Sequence, residues 1–530
     1  MLLETPTREN IPGVDTRLAT LQSWLQDQPY TNALLVCNEL TQRLKDLNHQ
    51  ILPAARQLEL LLAFNAPYER IHDSLRLLDK SADPTQAPQL ASLHELTSQL
   101  LLGYKYVINS CLGEKLRWGK SRLLAQAVNL AAHLLTLQIL GDWQRYLPTD
   151  DQSWQETGIL YRLSLQKKLA VTERAELPLA GHTQSARHSY ALLTILRLAD
   201  PYRMPSGLVW DAYQYLTQHI ADLNFKPPRP DADLTAGEYS LCLDCNPTEA
   251  LQRAREQAAE PSSPRLDISA LMDQTREDIK RLEAGARPTM LGLSNRISTS
   301  EAQQLLKQVL TQWQQHPERK LSRQEQAVDI ELSPGLQTAY RLHNQGIAFD
   351  PNDYLSSSDD HEIDLSSLMT EESGPNRLQD KTLRTASFNR SAGGLAIRLP
   401  QASPGLRVGE LVTVTPDPGQ AGNRLIGSVR WVSNQKAQGQ LAGIQYIAKD
   451  VQPVAIRPSD GDSHSVFHPA LYYRLNQDGQ NYELLISMRG MYRYNRMLEV
   501  DIQGERFHRN CDHLIESNNL FERFSLSPID

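Results

Sequence analysis

Apolar residues between about 15 and 224 recur at helical spacing, with polar positions between them. Leu58, Leu61 and Leu62 make one such stripe, and Leu124, Ala127, Val128, Ala131 and Leu135 another. Pro and Gly fall between the periodic runs, so the pattern predicts seven or eight helices packed as a bundle or a short solenoid, with no fixed repeat period to favour the solenoid. The Pro-rich break Lys226-Pro227-Pro228-Arg229-Pro230-Asp231 ends this region. A short strand is expected within 239–245, a loose connector over 256–264, and then two amphipathic helices. Ile268, Leu271, Met272, Ile279 and Leu282 mark the first helix. The second opens on the capping box Ser298-Thr299-Ser300-Glu301, carries the stripe Ala302, Leu305, Leu306, Val309, Leu310 and Trp313, and stops at His316-Pro317.

The period then changes to two. Val328, Ile330 and Leu332 alternate with Asp329 and Glu331, as a strand does. A polar, acidic stretch over about 346–375 follows; it holds too little apolar surface for a core and reads as a disordered insertion. Strands are expected at 395–399, 411–415, 425–432 and 441–447, spaced as in an antiparallel barrel or sandwich, and again at 470–475, 482–488 and 497–502. The fold class is therefore multidomain α+β. An all-α domain (1–225) and a mixed connecting region (226–317) precede an antiparallel β-barrel (318–455) and a β-rich extension (456–530).

Composition narrows the function. The 530 residues carry a net charge of −8, which argues against a DNA or RNA partner but leaves room for a local basic pocket. No run reaches the roughly 18 apolar residues of a membrane span, and the N-terminus turns polar at once. The expectation is a cytoplasmic protein with no membrane insertion. Five scattered cysteines suit a reducing compartment without a disulfide framework. Cys242 and Cys245 form a CxxC with no second pair, and His508, Cys511 and His513 lack a nearby fourth ligand, so no metal or cofactor is expected. No motif pairs a nucleophile with a base, so no enzyme is expected either.

Two short motifs carry the candidate chemistry. Arg319-Lys320-Leu321-Ser322-Arg323 precedes the first predicted strand; Asn389-Arg390-Ser391-Ala392-Gly393-Gly394 is polar turn chemistry leading into the strand of Leu395, Ile397 and Leu399. With Gly427-Ser428-Val429-Arg430-Trp431-Val432 and Ala442-Gly443-Ile444-Gln445-Tyr446-Ile447 downstream, residues 318–450 resemble the PilZ family of cyclic di-GMP receptors, which carries RxxxR and then [D/N]xSxxG on a small barrel. The spacing here is longer than the family's because the acidic stretch intervenes. The resemblance implies that Arg319 and Arg323 clamp phosphate and guanine and that Asn389 reads a guanine edge. It also implies that Ser391 bonds the ligand or fixes the turn, and that Gly394 admits close approach or a special backbone angle. Guanidinium groups suit both parts of such a ligand, pairing with phosphate oxygens and with the O6/N7 edge of guanine. The expected protein is a receptor that binds cyclic di-GMP and relays it to a protein partner through the helical region, coupled by the helix feeding into Arg319. The alternative is an interaction scaffold whose barrel no longer binds ligand.

Overall fold

The computed structural model describes residues 2–78, 86–113, 120–169, 185–229, 234–256, 263–314, 328–354, 382–401, 403, 405–416, 424–435, 439–459, 466–477 and 479–529. The chain divides into two compact units, Met1–Glu318 and Arg319–Asp530.

In the first unit the described residues form α1 (Leu18–Gln26), α2 (Ala33–His49), α3 (Ala54–Leu75), α4 (Ala87–Gly113), α5 (Lys120–Gln144), α6 (Asp151–Gln166), α7 (Ala186–Leu198) and α8 (Leu208–Gln218). A three-stranded antiparallel sheet follows, made of β1 (Asn224–Lys226), β2 (Glu238–Ser240) and β3 (Arg265–Asp267), with α9 (Pro247–Ala254) between β2 and β3. α10 (Ser269–Glu283) and α11 (Thr299–Gln314) complete the unit. One apolar core runs from Leu21 in α1 to Trp313 in α11. The expected capping box is present: the Glu301 amide donates to Ser298 Oγ at 3.3 Å, and the Ser298 amide donates to Glu301 Oε2 at 3.0 Å.

Pro and Gly do not stay between the helices as the pattern suggested. Pro67 lies inside α3. Gly158 lies inside α6, where a Cβ would overlap the Leu243 carbonyl oxygen, so this glycine lets the β2–α9 connection lie on the helix. That connection carries Cys242 and Cys245, which form a disulfide rather than sharing a strand as free thiols. A turn brings their Cα atoms to 5.6 Å, within the bridging range, and spacing alone does not reveal that turn. α5 is long and apolar enough to cross a membrane by composition, but its apolar residues Leu124 to Leu140 belong to the buried core of the unit.

Glu69 in α3 supplies a pH test. Burial, and the nearby charge of Asp73, push its carboxyl up to about 7 from an ordinary 4.5. As pH rises above 4.5 the unfolded chain ionises first while the folded chain holds the proton, so stability falls until about pH 7. Glu69→Gln removes this penalty. The variant is expected to melt above wild type at pH 8, with the difference shrinking toward pH 4.5, which thermal unfolding across that range will show.

The second unit is two closed six-stranded antiparallel barrels. The first uses β4 (Val328–Pro334), β5 (Leu383–Ser391), β6 (Gly394–Leu399), β7 (Leu411–Thr415), β8 (Leu425–Gln435) and β9 (Gly439–Ala448); α12 (Leu336–His343) follows β4. The second uses β10 (Gln452–Pro458), β11 (His468–Gln477), β12 (Gln480–Ser487), β13 (Met497–Ile502), β14 (Glu505–Ser517) and β15 (Glu522–Ser527). The neighbour orders are β4-β5-β6-β9-β8-β7 and β10-β11-β12-β15-β14-β13, one path traced twice. The barrels share a patch of core in which Leu411 and Ile426 of the first meet Leu471, Leu484, Ile486 and Phe521 of the second, with α12 contributing Ala339 and Tyr340.

Of the acidic stretch 346–375, the part to Tyr354 is described, and it is held by aromatic contacts. Tyr354 stacks on Phe349 at 5.4 Å, meets Phe467 at 5.3 Å, and its carbonyl accepts from Arg506 Nη2 at 2.9 Å. Residues 355–381 lie outside the described residues. A loop deletion should therefore spare Phe349 and Tyr354. Removing 356–378 is expected to leave the melting of the second unit unchanged, whereas removing 347–378 lowers it, as calorimetric melting of the two variants will show.

Candidate functional site

The motif Asn389-x-Ser391-x-x-Gly394 sits on strands more than on a turn. β5 runs through Ser391, only Ala392 and Gly393 make the turn, and β6 starts at Gly394. The ladder pairs Ser387 with Ile397 and then Asn389 with Ala396, so Phe388 is an extra residue on β5. Such a bulge inverts the alternation that follows. Ser387 and Ile397 are buried inside the barrel, whereas Asn389 faces outward beside Ala396. Without the bulge Asn389 would share the face of Ser387 and point into the core.

The ladder continues this row across the sheet. Ala396 pairs with Gly443 of β9, and Gly443 with Trp431 of β8. Directly opposed residues share a face, so Asn389, Ala396, Gly443 and Trp431 line up across four strands on the outside of the barrel. A second bulge in β8 adds Arg430 and brings Trp431 to this face. A Cβ at Gly443 would overlap the Trp431 indole, so the ring lies against the glycine. Two small residues thus floor a shallow strip between an amide at one end and an indole at the other. Arg398, exposed, lies two residues along β6 on the same face.

The other motif residues have partners within the protein. Ser391 Oγ donates to the Gly394 carbonyl at 3.3 Å, which fixes the hairpin. A Cβ at Gly394 would overlap the Ile444 carbonyl oxygen and stand 3.2 Å from Gln445 Cα, so the close approach that this glycine allows is to β9. Its φ is outside the left-handed range. Arg390 faces the barrel mouth with Leu395 and lies beside Tyr446, whose hydroxyl burial raises above its ordinary range against the opposing pull of the Arg390 charge. Asn389 is half-buried and has no side-chain hydrogen bond among the described residues.

Arg319 and Arg323 lie outside the described residues. The strand that follows them is fixed. The Val328 amide donates to Ser387 Oγ at 3.3 Å, and Val328 pairs with Ser387, two residues from Asn389. Four residues lie between Arg323 and Val328 in the sequence.

Sequence reasoning named Asn389, Ser391 and Gly394 but missed Trp431 and Gly443 as members of the same row. The pairing of Val-Arg-Trp with Ala-Gly-Ile on adjacent strands could have suggested it. The β8 bulge that sets the register has no clear sequence signature.

A small antiparallel barrel that presents a polar [D/N]xSxxG hairpin on its outer face is a PilZ-type domain. Residues 19–230 match the family model described as the N-terminal domain of cyclic-di-GMP receptor FimW, and residues 338–453 match that of its middle PilZ domain. Together these matches span well over half of the chain, which belongs to the PilZ-domain cyclic di-GMP receptor family. Asn389, Ser391, Gly394, Trp431 and Gly443 fall within the PilZ match, and Arg319 and Arg323 lie upstream of it. A curated relative, the cyclic-di-GMP receptor FimW of Pseudomonas aeruginosa, is 23% identical over 514 residues, covering 87% of this chain and 82% of the relative.

Proposed function

We propose that the chain is a receptor for cyclic di-GMP and binds it on the outer strip of the first barrel. The observation that carries this reading is the row Asn389–Ala396–Gly443–Trp431, set on the outer face by two bulges, with the small, buried Ala396 and Gly443 between half-buried Asn389 and Trp431. A flat strip ending in an indole suits a guanine laid on the sheet, with stacking worth about 1–3 kcal/mol per base. Asn389 supplies an amide donor and acceptor for a guanine edge. Arg319 and Arg323, which precede β4 in the sequence, supply the charge for the phosphates. Ser391 and Gly394 act chiefly by holding the hairpin that presents Asn389. The resemblance to the FimW receptor supports the ligand class.

The receptor acts by binding, in the cytoplasm, with no reaction of its own, and passes occupancy to a protein partner through the helical region. One chain of contacts within the second unit supports part of such a relay. Gln445 pairs with Gly394 at the edge of the strip, and its Oε1 accepts from Arg430 Nε at 2.7 Å. Arg430 also donates to both oxygens of Glu516 on β14, at 2.6 and 3.0 Å. A ligand that draws on Gln445 therefore perturbs the link to the second barrel.

One observation favours the other reading, a scaffold that binds no ligand: the jobs of Ser391 and Gly394 are already explained by the hairpin and by β9. Calorimetric titration of cyclic di-GMP separates the two. Wild type should bind saturably, and Arg319→Ala, Arg323→Ala and Asn389→Ala should each weaken binding by about tenfold or more without lowering the melting temperature. No saturable heat with wild type would sink the receptor reading.

A further inference from the structure

We propose a second ligand site, for a small phosphorylated molecule, in the cleft where α12 and the β9–β10 connection meet the second barrel. The cleft has a volume of about 690 Å³, within the range of small-molecule sites. It lies on residues outside the Asn389–Trp431 row, and its argument does not depend on cyclic di-GMP.

The charge distribution inside the cleft decides what it would hold. In the lining Arg509 and Arg474 share the carboxylate of Glu483, at 2.8 and 3.6 Å, and Arg509 covers the Phe507 ring at 4.7 Å. Those cations are already engaged. The lining also holds Arg424 beside His343, and Lys449. Among the described residues, neither Arg424 nor Lys449 forms an ion pair; Arg424 Nη1 donates to the Leu342 carbonyl at the end of α12. His343 Nε2 is buried and has no hydrogen-bond partner. Burial, with the Arg424 charge beside it, pushes this imidazole down to about 4, so it is neutral at pH 7 and its Nε2 can donate without adding charge. Asp450 and Glu505, both exposed, are the remaining carboxylates of the lining.

A buried imidazole nitrogen without a partner costs stability unless something answers it. Two lining cations without an ion pair among the described residues, Arg424 and Lys449, select an anion. A phosphate has several acceptor oxygens to offer the cations and the imidazole of the lining, whereas a single carboxylate has only two. The rest of the molecule would lie along Ile502 and Phe507, the half-buried apolar part of the lining.

The test is calorimetric titration of the full-length chain with pyrophosphate at constant ionic strength, with and without saturating cyclic di-GMP. One saturable site is expected, unaffected by cyclic di-GMP and by Asn389→Ala, and weakened about tenfold or more by Lys449→Glu and by His343→Ala. Lys449 is exposed, so its replacement leaves the fold intact, which the melting temperature checks; Arg424→Gln is read only if its melting is also unchanged. Absence of saturable binding at millimolar pyrophosphate overturns the proposal, as does binding that Lys449→Glu and His343→Ala both leave at wild-type strength. Loss of pyrophosphate binding upon Asn389→Ala, or competition by cyclic di-GMP, also overturns it by placing the anion on the first barrel.

Discussion

Gly394→Ala is expected to destabilise the first barrel by about 2–3 kcal/mol and to weaken ligand binding only as a consequence. The added methyl would meet the Ile444 carbonyl oxygen and the Gln445 Cα, both backbone atoms of β9, which cannot rotate away as a side chain would. Either β6 and β9 separate, with loss of ladder hydrogen bonds, or the hairpin shifts and carries Asn389 with it. Denaturant unfolding followed with and without cyclic di-GMP measures both effects. Arg323→Ala serves as the contrast, losing affinity at unchanged stability. If Gly394→Ala binds poorly yet unfolds at the wild-type midpoint, the glycine serves the ligand directly and β9 tolerates the methyl.

This contrast marks how far the motif could be read from sequence. The helical half was legible because a 3.6-residue period needs no knowledge of what lies across from it. The same holds for β7 and β13, whose observed bounds are the expected ones. β14 and β15 were missed. β14 reads as charged and polar, with Glu505, Arg506, His508, Arg509, Asp512 and His513, because much of the strand is exposed between its neighbours β13 and β15. α12 was missed because its eight residues follow a strand with only Gly335 between. At the site, identity was legible and direction was not. The motif pointed to Asn389, Ser391 and Gly394, but the residue that turns Asn389 outward is Phe388, whose role exists only in the ladder against β6. The disulfide was missed for a similar reason, because the turn that brings Cys242 and Cys245 together is not set by their spacing.

Trp431→Ala is the sharper test of the strip itself. The indole lies over Gly443 on the outer face, and Trp431 is half-buried, so its removal should cost the barrel little. If a guanine stacks there, affinity for cyclic di-GMP should fall about tenfold to a hundredfold, the equivalent of one lost base–aromatic contact. Trp431→Phe should recover part of that loss, because a smaller ring still offers a π-face. Arg430 stands next to Trp431 but points its guanidinium to Glu516 and Gln445, so the two adjacent residues should separate by phenotype. Glu516→Gln is expected to leave cyclic di-GMP affinity near wild type while loosening the second barrel from the first, seen as faster amide exchange along β14. Wild-type affinity in Trp431→Ala would move the ligand off the row and onto the hairpin and the upstream arginines alone. A loss shared equally by Trp431→Ala and Glu516→Gln would instead mean that the strip is held in shape by the contact between barrels, with Arg430 as the joint.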